Sequence, residues 1–105
     1  MAEYEISQTE EQSLNIGLAN EIFNLRLYAF RDLMYADVTM GEEYLVCGKR
    51  VIAGEWIIPP YYARPYGNFR FESYESDSDE YVWYTGFNTK FRLVAYTAEE
   101  VEAMG

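Results

Sequence analysis

The stretch QSLNIGLANEIFNLRLYAF, residues 12–30, decides the fold of this chain, because its apolar residues fit two different periods. One set recurs at helical spacing: Leu18, Ile22, Leu25, Ala29 and Leu33. The other set alternates with its neighbours, as in two strands joined by a turn: Leu14, Ile16 and Leu18, then Phe23, Leu25, Leu27 and Ala29. The first period predicts one long buried helix, and the second predicts a β-hairpin.

A helix over residues 9–35 would contain several weak helix formers, of which Gly17 alone costs about 1 kcal/mol relative to alanine. Its apolar side chains would also surround the axis instead of forming one stripe. Two strands would instead place the apolar side chains on one face. The opposite face would then consist of Asn15, Gly17, Asn24, Arg26 and Tyr28. Residues 19–21 then form the turn, in which Asn20 tolerates a positive φ. The sequence therefore predicts a hairpin.

Alternation and turn residues divide the rest of the chain into further short strands. Met34 to Met40 alternates in the same way, and Gly41-Glu42 makes the next turn. Five more segments are predicted as strands: YLVC (44–47), VIAGEWII (51–58), NFRFESY (68–74), YVWYTGF (81–87) and KFRLVAY (90–96), the last two paired through Asn88-Thr89. A turn at 48–50, a loop at 61–67 and an acidic loop at 75–80 separate them. This spacing predicts an all-β fold, an antiparallel β-sandwich or barrel-like domain of about seven short strands.

The length of 105 residues predicts one domain over residues 1–105, with residues 1–11 as an acidic N-terminal arm. Residues 97–105 are predicted to form a short helical tail, because Thr97 and Glu100 have the spacing of a capping box. The single cysteine, Cys47, is predicted to be a small buried hydrophobe that faces the same way as Leu45.

Charge limits the partners that the chain can have. It has 8 basic and 18 acidic residues, a formal net charge of −10. This charge repels phosphates and anionic lipids, so we expect no direct binding to nucleic acid and none to membranes. Acidity is compatible with plain solubility, with a basic protein partner, or with a protein that imitates DNA.

No residue pattern in the chain predicts catalysis. The chain contains no histidine, so the commonest general base and metal ligand are missing. The acidic cluster at 75–80 lacks the glycine and the closing glutamate of a calcium loop. We therefore expect no enzyme activity, no catalytic residue, no metal and no cofactor.

Tyrosines in the proline-containing loop at 61–67 are the best candidates for a binding surface. Tyrosine combines apolar area with a polar tip, which suits contacts between proteins. The predicted interface residues are Tyr61, Tyr62, Arg64 and Tyr66. The alternative is that these tyrosines only cover the open end of the sandwich.

Four segments of the chain resemble the small baseplate plug proteins of contractile-tailed bacteriophages, first met in cyanophages. The matching residues are Gln12, Leu14, Ile16 and Leu18; Phe23, Leu25 and Leu27; Tyr35, Asp37 and Val38; and Phe91, Arg92, Leu93, Val94, Tyr96 and Thr97. The sequence departs from the pattern at Met34, where an aromatic residue is more usual, and in the strongly acidic loop at 75–80.

This resemblance implies a structural protein of the virion with no catalytic residue. It implies a plug at the baseplate hub, present in several copies around or within the central channel, in contact with hub, spike or tail-tube proteins. The implied location is the tail baseplate, and the host cytoplasm during assembly. Two other functions stay open: an acidic phage-encoded inhibitor that imitates DNA to block a nucleic-acid enzyme, and a regulatory or substrate-binding β-domain.

Overall fold

The structure is a computed structural model that describes residues 1–74 and 82–104. In these residues seven strands form two antiparallel sheets. The strands are β1 (Ala2–Tyr4), β2 (Glu11–Leu18), β3 (Glu21–Phe30), β4 (Leu33–Met40), β5 (Glu43–Arg50), β6 (Gly67–Ser73) and β7 (Phe91–Thr97), and the helices are the single turn α1 (Pro60–Ala63) and α2 (Ala98–Met104). One sheet has the strand order β2-β3-β4-β5 and the other β1-β7-β6. The predicted fold class is confirmed.

Residues 12–30 form the predicted hairpin of β2 and β3. Leu18 lies opposite Glu21, and the two residues between them, Ala19 and Asn20, have φ of 52° and 65°. Positive φ at both central positions defines a type I′ turn, whose twist matches that of the flanking strands. The alternating apolar set faces the core, where Ile16 and Phe23 have no exposed surface. The apolar residues that alternate along the two strands are therefore the buried ones. The helical spacing of the other apolar set does not correspond to a helix.

Strand β5 corrects two predictions. It continues to Arg50 through the predicted turn at 48–50, and its register against β4 shifts on both sides of the Val38–Val46 pair. Such shifts are β-bulges, which add a residue to one strand and change which side chains face the core. Val46 is buried as a result, and Cys47 is exposed. The prediction of a buried Cys47 was wrong because alternation cannot locate a bulge.

The segment at 51–58 is not a strand, contrary to the prediction. It runs along the edge of β6, where the Gly54 amide donates to the Phe71 carbonyl (2.8 Å) and the Ile57 amide to the Phe69 carbonyl (3.0 Å). Its apolar side chains enter the core: Val51, Ala53, Ile57 and Ile58. The segment thus closes the edge of a sheet without forming regular pairs.

The predicted hairpin of 81–87 with 90–96 is also wrong. Residues Tyr84–Gly86 form a 3₁₀ turn, and β7 pairs with β6 on one side and with β1 on the other. Strand β1 comes from the segment expected to be an acidic arm. Tyr81 and the predicted acidic loop at 75–80 lie outside the described residues.

The inner faces of the two sheets share one core. The rings of Phe23 in β3 and Phe69 in β6 meet edge to face, with centroids 6.4 Å apart. Met34, the departure from the family pattern, is buried in this core. At the end of β7, the Glu100 amide donates to Thr97 Oγ1 (3.2 Å) and the Thr97 amide to Glu100 Oε1 (2.9 Å), which confirms the capping box of α2.

On the outer face of the smaller sheet, one carboxylate accepts hydrogen bonds from three neighbouring side chains. Glu72 in β6 accepts hydrogen bonds from Arg70 (3.0 Å), Arg92 (3.0 Å) and the Tyr96 hydroxyl. Burial alone raises the pKa of Glu72, but the hydrogen bonds from Tyr96 and Arg70 outweigh it and hold this pKa below its ordinary value.

This lowered pKa makes the fold sensitive to acid. The stabilisation from Glu72 is fully present above the pKa of an unfolded glutamate, about 4.3, and is lost as pH falls through the lower folded value. We expect Glu72→Gln to lower the free energy of unfolding at pH 7 by about 1 to 2 kcal/mol, because charged hydrogen bonds are replaced by weaker ones. Urea denaturation at pH 7 and pH 3 measures the effect. A difference between the two proteins that persists unchanged at pH 3 would contradict this role.

Candidate protein interface

The predicted tyrosine loop is built on a fixed helical turn. Pro60 occupies the first turn of α1, where its missing amide costs no hydrogen bond. The amides of Tyr62 and Ala63 donate to the Pro59 carbonyl (2.9 and 3.2 Å), and the Arg64 amide donates to the Pro60 carbonyl (3.1 Å). Ala63 is buried and anchors the turn to the body of the protein. The backbone beneath the tyrosines is therefore ordered before any partner binds.

Two of the four predicted interface residues form an exposed aromatic pair. Tyr61 is 79% exposed and Tyr62 is 54% exposed, and their rings meet edge to face with centroids 5.5 Å apart. Arg64 follows on the same turn and is exposed. Its guanidinium forms no ion pair with any residue in the described part of the chain, whereas Arg26, Arg70 and Arg92 each do.

The fourth predicted residue, Tyr66, has a different position. Its ring packs edge to face on Phe23, with centroids 5.5 Å apart, and it is half-buried against the core. Tyr66 therefore holds the loop to the larger sheet, and the structure does not bring it into the exposed pair.

Two residues join the turn to β6. Gly67 has φ of 112°, and a Cβ built on it would lie 2.2 Å from the Tyr96 carbonyl oxygen, so only glycine fits. The Asn68 side chain is buried, accepts from the Ile58 amide (3.0 Å) and donates to the Ile58 carbonyl (2.7 Å). Both ends of the turn are thus fixed to the smaller sheet.

A cleft of about 630 Å³ opens beside the turn, between α1 and α2. It is lined by Trp56, Pro60, Ala63, Arg64, Gly67, Asn68, Ala98, Val101 and Glu102. The Trp56 ring forms its wall by packing against Tyr96 (5.5 Å) and beneath the Arg70 guanidinium (4.4 Å). Sequence reasoning missed Trp56, Val101 and Glu102, because the capping box predicts the helix but not where it packs.

The exposed groups of this site can be described by their chemistry. They are two phenol rings, one guanidinium that has no ion pair among the described residues, and an adjoining cleft of mixed polarity. Tyrosine and arginine are enriched in contacts between proteins. No group of three or more histidine, cysteine, aspartate or glutamate side chains that could hold a metal occurs among residues 1–74 and 82–104. Of the helices described, none is long and apolar enough to cross a membrane.

Comparison with known families identifies the chain. A family model described as the cyanophage baseplate Pam3 plug gp18 matches residues 1–98. The chain belongs to this plug family. The matched region contains all seven strands, the turn α1 and the first residue of α2. No curated protein matches the chain.

Membership of the plug family assigns the chain to the structural proteins of the phage tail. Plugs of this family belong to the baseplate, so the chain associates with other baseplate or tail proteins in a phage assembly. The family is not known for enzymatic activity. All four predicted interface residues lie within the matched region, whereas Val101 and Glu102 lie beyond it.

Proposed function

We propose that this plug is seated at the baseplate hub, around or within the central channel, in several copies. Its neighbours there are hub, spike or tail-tube proteins, and it is assembled into the tail in the host cytoplasm. The turn that carries Tyr61, Tyr62 and Arg64 makes the contact with one of these neighbours.

The exposed aromatic pair is the observation that carries this proposal. Both rings are exposed and neither packs against the core, so at an interface they would bury apolar area at little entropic cost. The backbone is already fixed by Pro60 and by the hydrogen bonds to Pro59, so docking does not have to order it. Arg64 adds a guanidinium that can pair with a carboxylate of the neighbour.

The distribution of carboxylates does not favour a DNA mimic. Such a protein needs unpaired carboxylates along one face, at spacings like those of phosphates. Several acids described here are instead bound to cations of the same chain: Glu11, Asp37, Glu55 and Glu72. We therefore propose the structural function alone.

Photocrosslinking in intact particles tests the proposed contact. A benzophenone amino acid is placed at Tyr61, and at Tyr44 as the control, because Tyr44 is 69% exposed but lies on β5. After irradiation of purified tails, mass spectrometry identifies the crosslinked chains. We expect position 61 to crosslink to a hub, spike or tail-tube protein. Crosslinks from position 44 to that protein with no crosslinks from position 61 would show that the tyrosine turn is not the contact.

A further inference from the structure

The two sheets of the described residues have four edge strands between them, and three of these edges are blocked. The edge of β6 is covered by the segment at 51–58, through the hydrogen bonds of Gly54 and Ile57. The edge strand β5 is interrupted by two register shifts and has Gly48 at φ 70°. Strand β1 has only three residues. Bulges, covering segments and short length are the usual means by which proteins prevent edge strands from pairing with other chains.

Within residues 1–74 and 82–104, the fourth edge, strand β2, has none of these features. Its eight residues pair with β3 in one unbroken register from Glu11 to Leu18, without proline or a basic residue. An open, regular edge is a template for another strand. Strand β2 is therefore the edge of this fold at which another strand can pair most readily.

The turn geometry shows which groups of β2 point outward. The type I′ turn makes Leu18–Glu21 a hydrogen-bonded pair, and such pairs alternate along an antiparallel hairpin. The Ala29 amide accordingly donates to the Glu10 carbonyl (2.8 Å). The even-numbered residues of this segment are therefore the ones whose main-chain groups bond to β3. Ser13, Asn15 and Gly17 therefore direct their amides and carbonyls away from β3. In the part of the chain that the structure describes, no other main-chain or side-chain group bonds to them.

The side chains along this edge leave room for an incoming strand. On the outer face Ser13, Asn15 and Gly17 are exposed, and a Cβ on Gly17 would meet nothing within 4 Å. On the inner face Leu14 is only half-buried, so an added strand with an apolar side chain beside it would complete the cover of the core.

Charge indicates the kind of strand that fits. Glu10 lies just before β2 and Glu21 just after its turn, and neither forms an ion pair with a cation of the described residues. An incoming strand with basic residues at its ends would meet a carboxylate at each end. A second copy of this chain would bring further negative charge, since each copy has a net charge of −10.

We propose that β2 accepts an extended segment of another protein, which adds as a fifth strand to the larger sheet and has alternating apolar residues between basic ends. Main-chain hydrogen bonds to Ser13, Asn15 and Gly17 give the binding, and Leu14 and the flanking glutamates select the segment. That this segment comes from a baseplate neighbour rests on the proposed function, whereas the addition of a strand does not.

A peptide assay on the full chain tests this proposal. The probe is a short fluorescent peptide of alternating threonine and valine with lysines at both ends, and a second peptide has glutamates in place of the lysines. Fluorescence anisotropy measures the affinity for each peptide, and hydrogen exchange measures the protection of the amides of Ser13, Asn15 and Gly17. The variant Asn15→Pro removes one outward donor without touching the bonds to β3, and Asn15→Thr keeps this donor. Both variants lose the Asn24–Asn15 side-chain bond, so they are matched.

We expect the lysine-ended peptide to slow exchange at all three amides and to bind more tightly than the glutamate-ended peptide. Asn15→Pro should weaken binding about tenfold and Asn15→Thr less than about twofold, since a factor of ten corresponds to roughly one lost hydrogen bond.

Unchanged exchange in the wild-type chain would overturn the proposal even if the proline variant fails to fold. Equal binding of the two peptides would show that the incoming strand does not need basic ends. Protection that rises with protein concentration and without peptide would make a second copy the occupant.

Discussion

Replacement of Gly67 by alanine is expected to lower the free energy of unfolding by about 3 to 5 kcal/mol, a large part of the stability of a small domain. Gly67 has φ of 112°, a conformation that residues with a Cβ rarely adopt. The added methyl group would also lie 2.2 Å from the Tyr96 carbonyl oxygen in the neighbouring strand, so β6 and β7 would have to separate. Urea denaturation followed by circular dichroism measures the change.

Gly17→Ala is the matched control for this prediction. Gly17 also lies in a strand, but its φ is not positive and the space around its Cα is open. We expect this substitution to change the free energy of unfolding by less than about 1 kcal/mol. If Gly67→Ala were tolerated equally well, the close approach of β6 to β7 and the position of the tyrosine turn would be wrong.

The double substitution of Tyr61 and Tyr62 by alanine is expected to reduce the amount of this protein in assembled tails about tenfold or more. Exposed tyrosines on a fixed backbone are typical of the few residues that carry most of the energy of an interface. The isolated domain should keep its stability, because neither ring reaches the core. Complementation of a phage that lacks the gene, followed by quantification of the protein in purified tails, measures the effect.

Two further variants make this result specific. Tyr44→Ala removes from β5 a ring whose exposure lies between those of Tyr61 and Tyr62, and it should leave incorporation unchanged. Tyr66→Ala should act differently, lowering stability through the lost contact with Phe23. Normal incorporation of the double variant would show that the tyrosine turn is not the interface.

The sequence predicts the fold best where strands alternate regularly and turns are short. Residues 12–40 show this, because each local choice agrees: the apolar face, the turn residues and the absence of a helical stripe. Prediction fails at β5, where bulges beside Val46 change the alternation, and at 51–58, where an apolar segment lines an edge instead of pairing. Both features depend on tertiary contacts that no local pattern records.

The candidate site was predictable in part. Prolines and clustered tyrosines indicate the exposed turn, and the structure places Tyr61, Tyr62 and Arg64 there. The inward position of Tyr66 could not be predicted, because it depends on a ring contact with Phe23, a residue 43 positions earlier in the chain (66 − 23). The cleft was missed for the same reason, since it forms only where α2 packs beside the turn.

Quantitative mass spectrometry of purified phage tails determines whether this chain is a structural component of the tail. A structural plug must be present in every tail, so we predict a fixed molar ratio of this chain to the hub and tail-tube proteins, unchanged by further purification. Absence of the chain from purified tails, with the protein found only in the lysate of infected cells, would show that it is not a structural component of the tail.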